Sequence, residues 1–189
     1  EEIPKINVFK IMFTGNVGYA QGLELLPKTA ALLKEQGEKI LFCIVGDGRY
    51  LSKFEEEIKK LQVEEYFCMI GRQPATRIPE LLATADAAFL SFMKTKLFEM
   101  TIPAKLQSYM ACGMPVLAAA NGESKRVIEE AGCGFSTPSG DEKALAESII
   151  RMMKLSELEL QQMKNNSRRY FEKNFEKQKL MDQIDQYFN

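Results

Sequence analysis

The run Ile40–Val45, Ile-Leu-Phe-Cys-Ile-Val, contains no polar residue. A strand with one wet face alternates apolar and polar side chains, whereas a strand covered on both faces reads as an unbroken apolar run. That run therefore asks for a sheet with helices on both sides. The rest of the chain repeats the plan. Short apolar runs at 10–14, 67–70, 87–91, 115–119 and 134–136 are separated by stretches with helical periodicity. Leu23, Leu26, Ala30 and Leu33 share one helical face that Gly37 ends, and Leu51, Phe54, Ile58 and Leu61 share another. Pro27 sits awkwardly in the first of these and is expected to kink or unsettle its first turn.

Further helices are predicted at 79–85, from Pro103 to Gly113, and at 124–131. Asp141 is placed to cap a helix to Lys154, and Ser156 with Glu159 forms a capping box for the next. A last amphipathic helix is predicted at 176–188, bearing Leu180, Ile184 and Phe188. Strands alternating with helices of about 10–15 residues predict right-handed crossovers and a parallel sheet. The expected fold is α/β: a doubly wound, Rossmann-like sheet forming a single domain over residues 1–189. No linker, repeat or low-complexity segment divides it. Ligands of such sheets sit beyond the carboxyl ends of the strands, and Gly15, Gly46, Gly48 and Gly71 fall at or near those ends.

Composition removes several function classes. The 25 basic and 26 acidic residues leave a net charge of −1, which argues against a nucleic-acid partner. The chain has no histidine, so Ser–His and Cys–His mechanisms are excluded within it. Cys43, Cys68, Cys112 and Cys133 are widely spaced beside apolar segments and read as buried free thiols of a reducing cytosol. With neither a close cysteine pair nor histidine, no metal site is expected. No apolar run approaches the length of a membrane span. The chain starts at Glu1 without an initiator methionine or leader and is expected to be a fragment, cytoplasmic or at the inner face of the membrane.

Four segments bear on chemistry. Thr14-Gly15-Asn16-Val17-Gly18-Tyr19-Ala20-Gln21-Gly22 is a glycine-rich strand-to-helix turn, either a tight structural turn or a place for close backbone approach to a ligand. It matches neither the dinucleotide fingerprint nor a Walker loop. Val45-Gly46-Asp47-Gly48 is expected opposite it, with Asp47 as cap of the following helix. The segment 92–102 holds Lys94, Lys96 and Glu99, in a solvated surface loop or at a substrate-contacting position. The helix opening at Pro103 is a ready anion site through its free N–H groups and positive dipole end. Lys105 in its first turn opposes that dipole; it is either an idle surface charge or the partner of a bound diphosphate.

In order, Gly15-Asn16-Val17-Gly18 with Gln21-Gly22, Val45-Gly46-Asp47-Gly48, Ile70-Gly71, Ala85-Asp86, Pro103-Ala104-Lys105, Tyr109-Met110-Ala111-x-Gly113-x-Pro115-Val116 and Gly132-x-Gly134 form a specific set. Over essentially its whole length the chain resembles the C-terminal, donor-binding domain of retaining GT-B glycosyltransferases of the group 1 family. The resemblance implies a nucleotide-diphosphate sugar, usually UDP-linked, no metal or other cofactor, and retaining sugar transfer to a glycan or lipid-linked acceptor. It implies an N-terminal acceptor domain absent from this chain, through which any peripheral membrane contact would be made. By position, Gly15, Asn16, Gly18 and Gln21 fall near the phosphates or sugar, and Gly71 and Arg72 near the base. The amides of Ala104, Lys105 and Leu106, with the Lys105 side chain, fall at the diphosphate, and Ser108 at the ribose.

The chain departs from the family pattern in places. Many members carry Arg and Lys where Asn16 and Gln21 stand, and a Glu-x7-Glu motif where this chain has Met100 and Ser108. Glu99, one step away, is the expected catalytic acid facing the sugar, and Lys105, Arg72 or Lys96 the replacement charge. The isolated chain is expected to bind nucleotide without turnover. Two other readings remain open at this stage: a nucleotide-sugar 2-epimerase domain, and a non-catalytic flavodoxin-like nucleotide-binding module.

Overall fold

The structure, a computed structural model, describes residues 3, 4 and 6–176. Strands β1 (Phe9–Thr14), β2 (Ile40–Val45), β3 (Phe67–Met69), β4 (Ala87–Ser91), β5 (Val116–Ala119) and β6 (Gly134–Thr137) form one six-stranded sheet. Every pairing is parallel, in the order β3-β2-β1-β4-β5-β6. The order reverses between β1 and β4, so the two chain directions part there and open a crevice at the carboxyl edge.

The β2 run explains the layering. Ile40, Phe42 and Ile44 enter one core with Phe13, Leu26, Phe54 and Phe89. Leu41, Cys43 and Val45 enter the other, with Met12, Leu82, Leu106 and Tyr109. Helices α1 (Leu25–Glu35), α2 (Leu51–Lys60) and α7 (Glu142–Met153) supply the first core. Helices α3 (Ile78–Leu82), α5 (Ala104–Ala111) and α6 (Gly122–Ala131) supply the second. The short helix α4 (Lys96–Glu99) belongs to the carboxyl edge, and α8 (Glu157–Asn174) closes over α5, where Ser167 Oγ donates to Met114 O at 2.8 Å.

Several expectations held in detail. Asp141 accepts the Ala144 N–H at 2.9 Å as the cap of α7, and the Ser156–Glu159 capping box is formed. Others need correction. Asp47 is not a helix cap: its carboxylate accepts the neighbouring Gly48 N–H, and α2 starts only at Leu51. Pro27 unsettles nothing, because α1 begins at Leu25 and leaves the proline in the first turn, where its missing N–H is no loss. Pro103 precedes α5 with extended ψ of 144° rather than opening it. Residues 92–102 contain α4, capped by Thr95 Oγ, which accepts the Phe98 N–H. Cys43, Cys68 and Cys133 are buried, but Cys112 is exposed at the end of α5. The helix predicted at 176–188 lies outside the described residues beyond Glu176. Among the described residues, no helix is long and apolar enough to cross a membrane.

Candidate functional site: a cationic cavity at the carboxyl edge

The ends of β1 and β2 are fastened to each other first. Gly15 N donates to Val45 O at 2.8 Å, and Val17 N to Asp47 O at 2.9 Å. Gly46 makes this approach possible: a Cβ there would stand 1.8 Å from Gly15 O. Both turns anticipated from the sequence thus form one rim. Gly15 itself has φ of +117°, and its open side is occupied by the end of the Lys105 side chain.

Helix α5 is pinned to the same rim by Tyr109. The ring is fully buried, and its hydroxyl accepts the Thr14 N–H at 3.0 Å and lies 3.3 Å from Thr14 Oγ. Burial raises the Tyr109 hydroxyl to about 12, so it stays neutral. The role of Tyr109 was not read from the sequence. Its only signal was a hydroxyl on an apolar helix face, four residues from Lys105 and so on the same side of the helix.

Between rim and helix lies a cavity of about 860 Å³. Gly15, Arg72, Lys105 and Ser108, predicted as site residues, line it together. A further part of its lining, Gln73, Pro74, Ala75, Ile78, Pro79 and Leu82, is mostly apolar and comes from the β3–α3 connection and from α3, a helix anticipated at 79–85 but not as part of the site. Gly71 precedes this stretch with φ of +75° and open space around it.

Lys105 dominates the electrostatics. Its Nζ stands 3.7 Å from the centroid of the Phe13 ring, a cation–π contact. It is partly buried, and burial alone lowers its pKa to about 7. Among the described residues neither it nor Arg72 has an ion-pair partner. A desolvated ammonium at the start of a helix, where the dipole is also positive, is unfavourable unless an anion arrives.

The other predicted residues divide. Ala104 is exposed at the head of α5, and its N–H and that of Lys105 precede the first intrahelical bond. Leu106 is fully buried, and its N–H is spent on Pro103 O at 3.0 Å, so it serves packing. Asn16, Gly18 and Gln21 do not line the cavity. Gln21 Oε1 accepts the Gly18 N–H at 3.2 Å, and the Asn16 amide lies against Gly18, so both side chains brace their own turn. Glu99 also lies off the cavity, with Asn121 Nδ2 3.4 Å from its carboxylate and its backbone packed on Gly122. Lys96 is exposed on α4.

A doubly wound sheet with a cationic cavity at its reversal point defines a class: the open α/β domains with a crevice beyond the carboxyl ends of their strands. The comparisons narrow it. The profile of the family "Glycosyl transferases group 1" matches residues 3–170, and the chain belongs to that family. The putative colanic acid biosynthesis glycosyltransferase WcaL of Escherichia coli K12 is 27% identical over 159 residues, covering 84% of this chain and 39% of the relative. The amylovoran biosynthesis glycosyltransferase AmsK of Erwinia amylovora is 26% identical over 144 residues, covering 76% and 35%. The crystal structure of Anabaena Alr3699/HepE in complex with UDP superposes with a TM-score of 0.82 at 21% identity, covering 96% of this chain and 49% of that one. The chain therefore spans less than half the length of these relatives, and its architecture is one half of a GT-B fold.

Proposed function

We propose that this domain binds the donor of a glycosyltransferase, a nucleotide-diphosphate sugar with UDP as the reference nucleotide. The observation that carries the reading is Lys105: a partly buried cation at the head of α5, without an ion-pair partner among the described residues, beside Gly15 and lining the cavity of about 860 Å³. A diphosphate there would meet the Lys105 ammonium and the free N–H groups of Ala104 and Lys105. Arg72 adds charge from the facing loop. Such preorganised groups would stabilise the departing diphosphate without a metal ion, which is the countercharge a retaining hexosyl transfer requires. The HepE structures with UDP and with UDP-glucose support the choice of nucleotide.

Turnover would need a second domain closing on the carboxyl edge to carry the acceptor, and the relatives' greater length supports that arrangement. The naming of these relatives as colanic acid and amylovoran biosynthesis glycosyltransferases favours an envelope or capsule glycan precursor as acceptor, met at the cytoplasmic face of the membrane. The reading is tested by calorimetric titration of the 189-residue chain with UDP, FMN and NAD. Saturable UDP binding that Lys105→Ala removes is expected. Binding of FMN alone would overturn the assignment, and sugar transfer by the chain on its own would overturn the need for a second domain.

A further inference from the structure

The Lys105 amine has no hydrogen-bond acceptor in the fold. Among the described residues its Nζ makes neither a hydrogen bond nor an ion pair, and it rests on the face of the Phe13 ring at 3.7 Å. The polar groups lining the same cavity have partners of their own. Thr14 Oγ lies 3.3 Å from the Tyr109 hydroxyl, Gln73 Oε1 accepts from Arg77 Nη1 at 3.0 Å, and Ser108 Oγ donates to Ala104 O at 3.0 Å. The charged lining is Arg72 and Lys105 itself, with no Asp or Glu among the described residues. An ammonium placed there has lost water without gaining an acceptor, so the site favours the free amine.

A free lysine amine is a nucleophile, and desolvation is one way that proteins make one. Burial, with no charged group adding to it, brings Lys105 from 10.5 to about 7, so about half of the protein carries the free amine at pH 7. An ordinary lysine is neutral there in roughly one molecule in 3,000. A less basic amine is also intrinsically weaker. With the slope known for thiols about half of the logarithmic gain survives, an advantage of about 30- to 60-fold. A reagent can reach it. Gly15 supplies no side chain to shield the amine, since a Cβ there would stand 3.3 Å from Nζ, and the cavity of about 860 Å³ is of the size that small molecules enter. Cys112 also lines the cavity, but burial raises its thiol above the ordinary 9.0, so it does not compete near neutral pH.

We propose that Lys105 is an acylation site whose donor is an acyl phosphate: the cationic, carboxylate-free cavity draws in the phosphate end, and the free amine takes the acyl group. Nζ attacks the carbonyl carbon, and the C–N bond forms as the bond from that carbon to the phosphate oxygen breaks. Inorganic phosphate leaves with the electron pair, and the nitrogen gives one proton to water. The product is a neutral amide, which removes the charge of Lys105 for good. The step needs only the amine and its cavity and does not rest on the nucleotide reading, although it would switch nucleotide binding off.

The test is incubation of the 189-residue protein with acetyl phosphate at pH 7, 8 and 9, with the initial rate of acetylation at each lysine read by peptide mass spectrometry. At pH 7 Lys105 is expected to react at least about tenfold faster than the median lysine. Its rate should rise by no more than about twofold from pH 7 to 9, where an ordinary lysine gains about tenfold per pH unit. A rate at or below the median at pH 7, or one that climbs with the others, overturns the proposal. Arg72→Ala should slow the reaction of Lys105 with acetyl phosphate about threefold or more and leave its reaction with an uncharged acetyl ester unchanged within about twofold. An undiminished rate with acetyl phosphate in that variant overturns the choice of donor. Saturating UDP should protect Lys105 alone; acetylation undiminished by UDP would overturn the nucleotide reading and leave the acylation site standing.

Discussion

Lys105→Met separates what this lysine costs the fold from what it contributes to binding. Methionine keeps the length and apolar stem of the side chain and removes the charge. In the unfolded chain the amine keeps its ordinary value of 10.5; in the fold, burial brings it to about 7. At pH 7 that difference corresponds to roughly 4 kcal/mol of destabilisation. The contact with the Phe13 ring offsets about 1–2 kcal/mol of it. The variant should therefore be more stable than the wild type by about 2–3 kcal/mol, or roughly 5–10 °C in Tm for a domain of this size.

The pH dependence fixes the cause. Below pH 7 the amine is protonated in both states and the full penalty applies. Between about 7 and 10.5 the unfolded chain holds the proton and the folded one does not, so wild-type stability rises with pH. The advantage of the variant should thus be largest at and below pH 7 and fade by about pH 9–10. Urea unfolding at pH 6, 7 and 9 measures it, with carboxylates common to both proteins cancelling in the difference. A variant less stable than the wild type at pH 7, or a gain unchanged at pH 9, would refute the claim that this ammonium is desolvated.

Three other outcomes follow from the same geometry. A diphosphate beside Lys105 raises its pKa again, so UDP binding at pH 7 should take up about half a proton, and affinity should fall up to about tenfold per pH unit above 7; calorimetry in buffers of different ionisation heat reads both. Gly15→Ala puts a side chain at φ of +117° with its Cβ 3.2 Å from Lys105 Cε, and is expected to lower stability by about 1–3 kcal/mol on urea unfolding and weaken UDP binding as Lys105 is displaced. Excess EDTA should leave the UDP dissociation constant unchanged within about twofold, because protein groups supply the countercharge; a loss beyond about tenfold would require a metal.

The sequence by itself determined the layers and the strand ends. An all-apolar β2 can only be buried on both faces, since each residue alternates its side chain between them, and the structure divides Ile40, Phe42 and Ile44 from Leu41, Cys43 and Val45 accordingly. The caps at Asp141 and Ser156 were equally legible, because a cap bonds to residues within a turn of itself. Asp47 shows the limit even of local reading. Its helix begins later than its sequence suggests, because the 45–50 segment is held by bonds to the β1 turn, such as Tyr50 N to Val17 O at 3.0 Å.

What only the tertiary structure decided is the direction in which each candidate faces. Asn16, Gln21 and Lys105 all belong to loops or helix ends at the carboxyl edge, yet Asn16 and Gln21 fold back on their own turn while Lys105 enters the cavity. The Lys105 environment is made by Phe13 and Gly15, and α5 is anchored by a bond from Thr14 to Tyr109, 95 residues apart. No periodicity carries such a pairing, because it depends on β4 following β1 across the sheet rather than on spacing along the chain. The lining from Gln73 to Leu82 joined the cavity for the same reason: its residues are ordinary loop and α3 residues until the strand order brings them to the same cavity as α5.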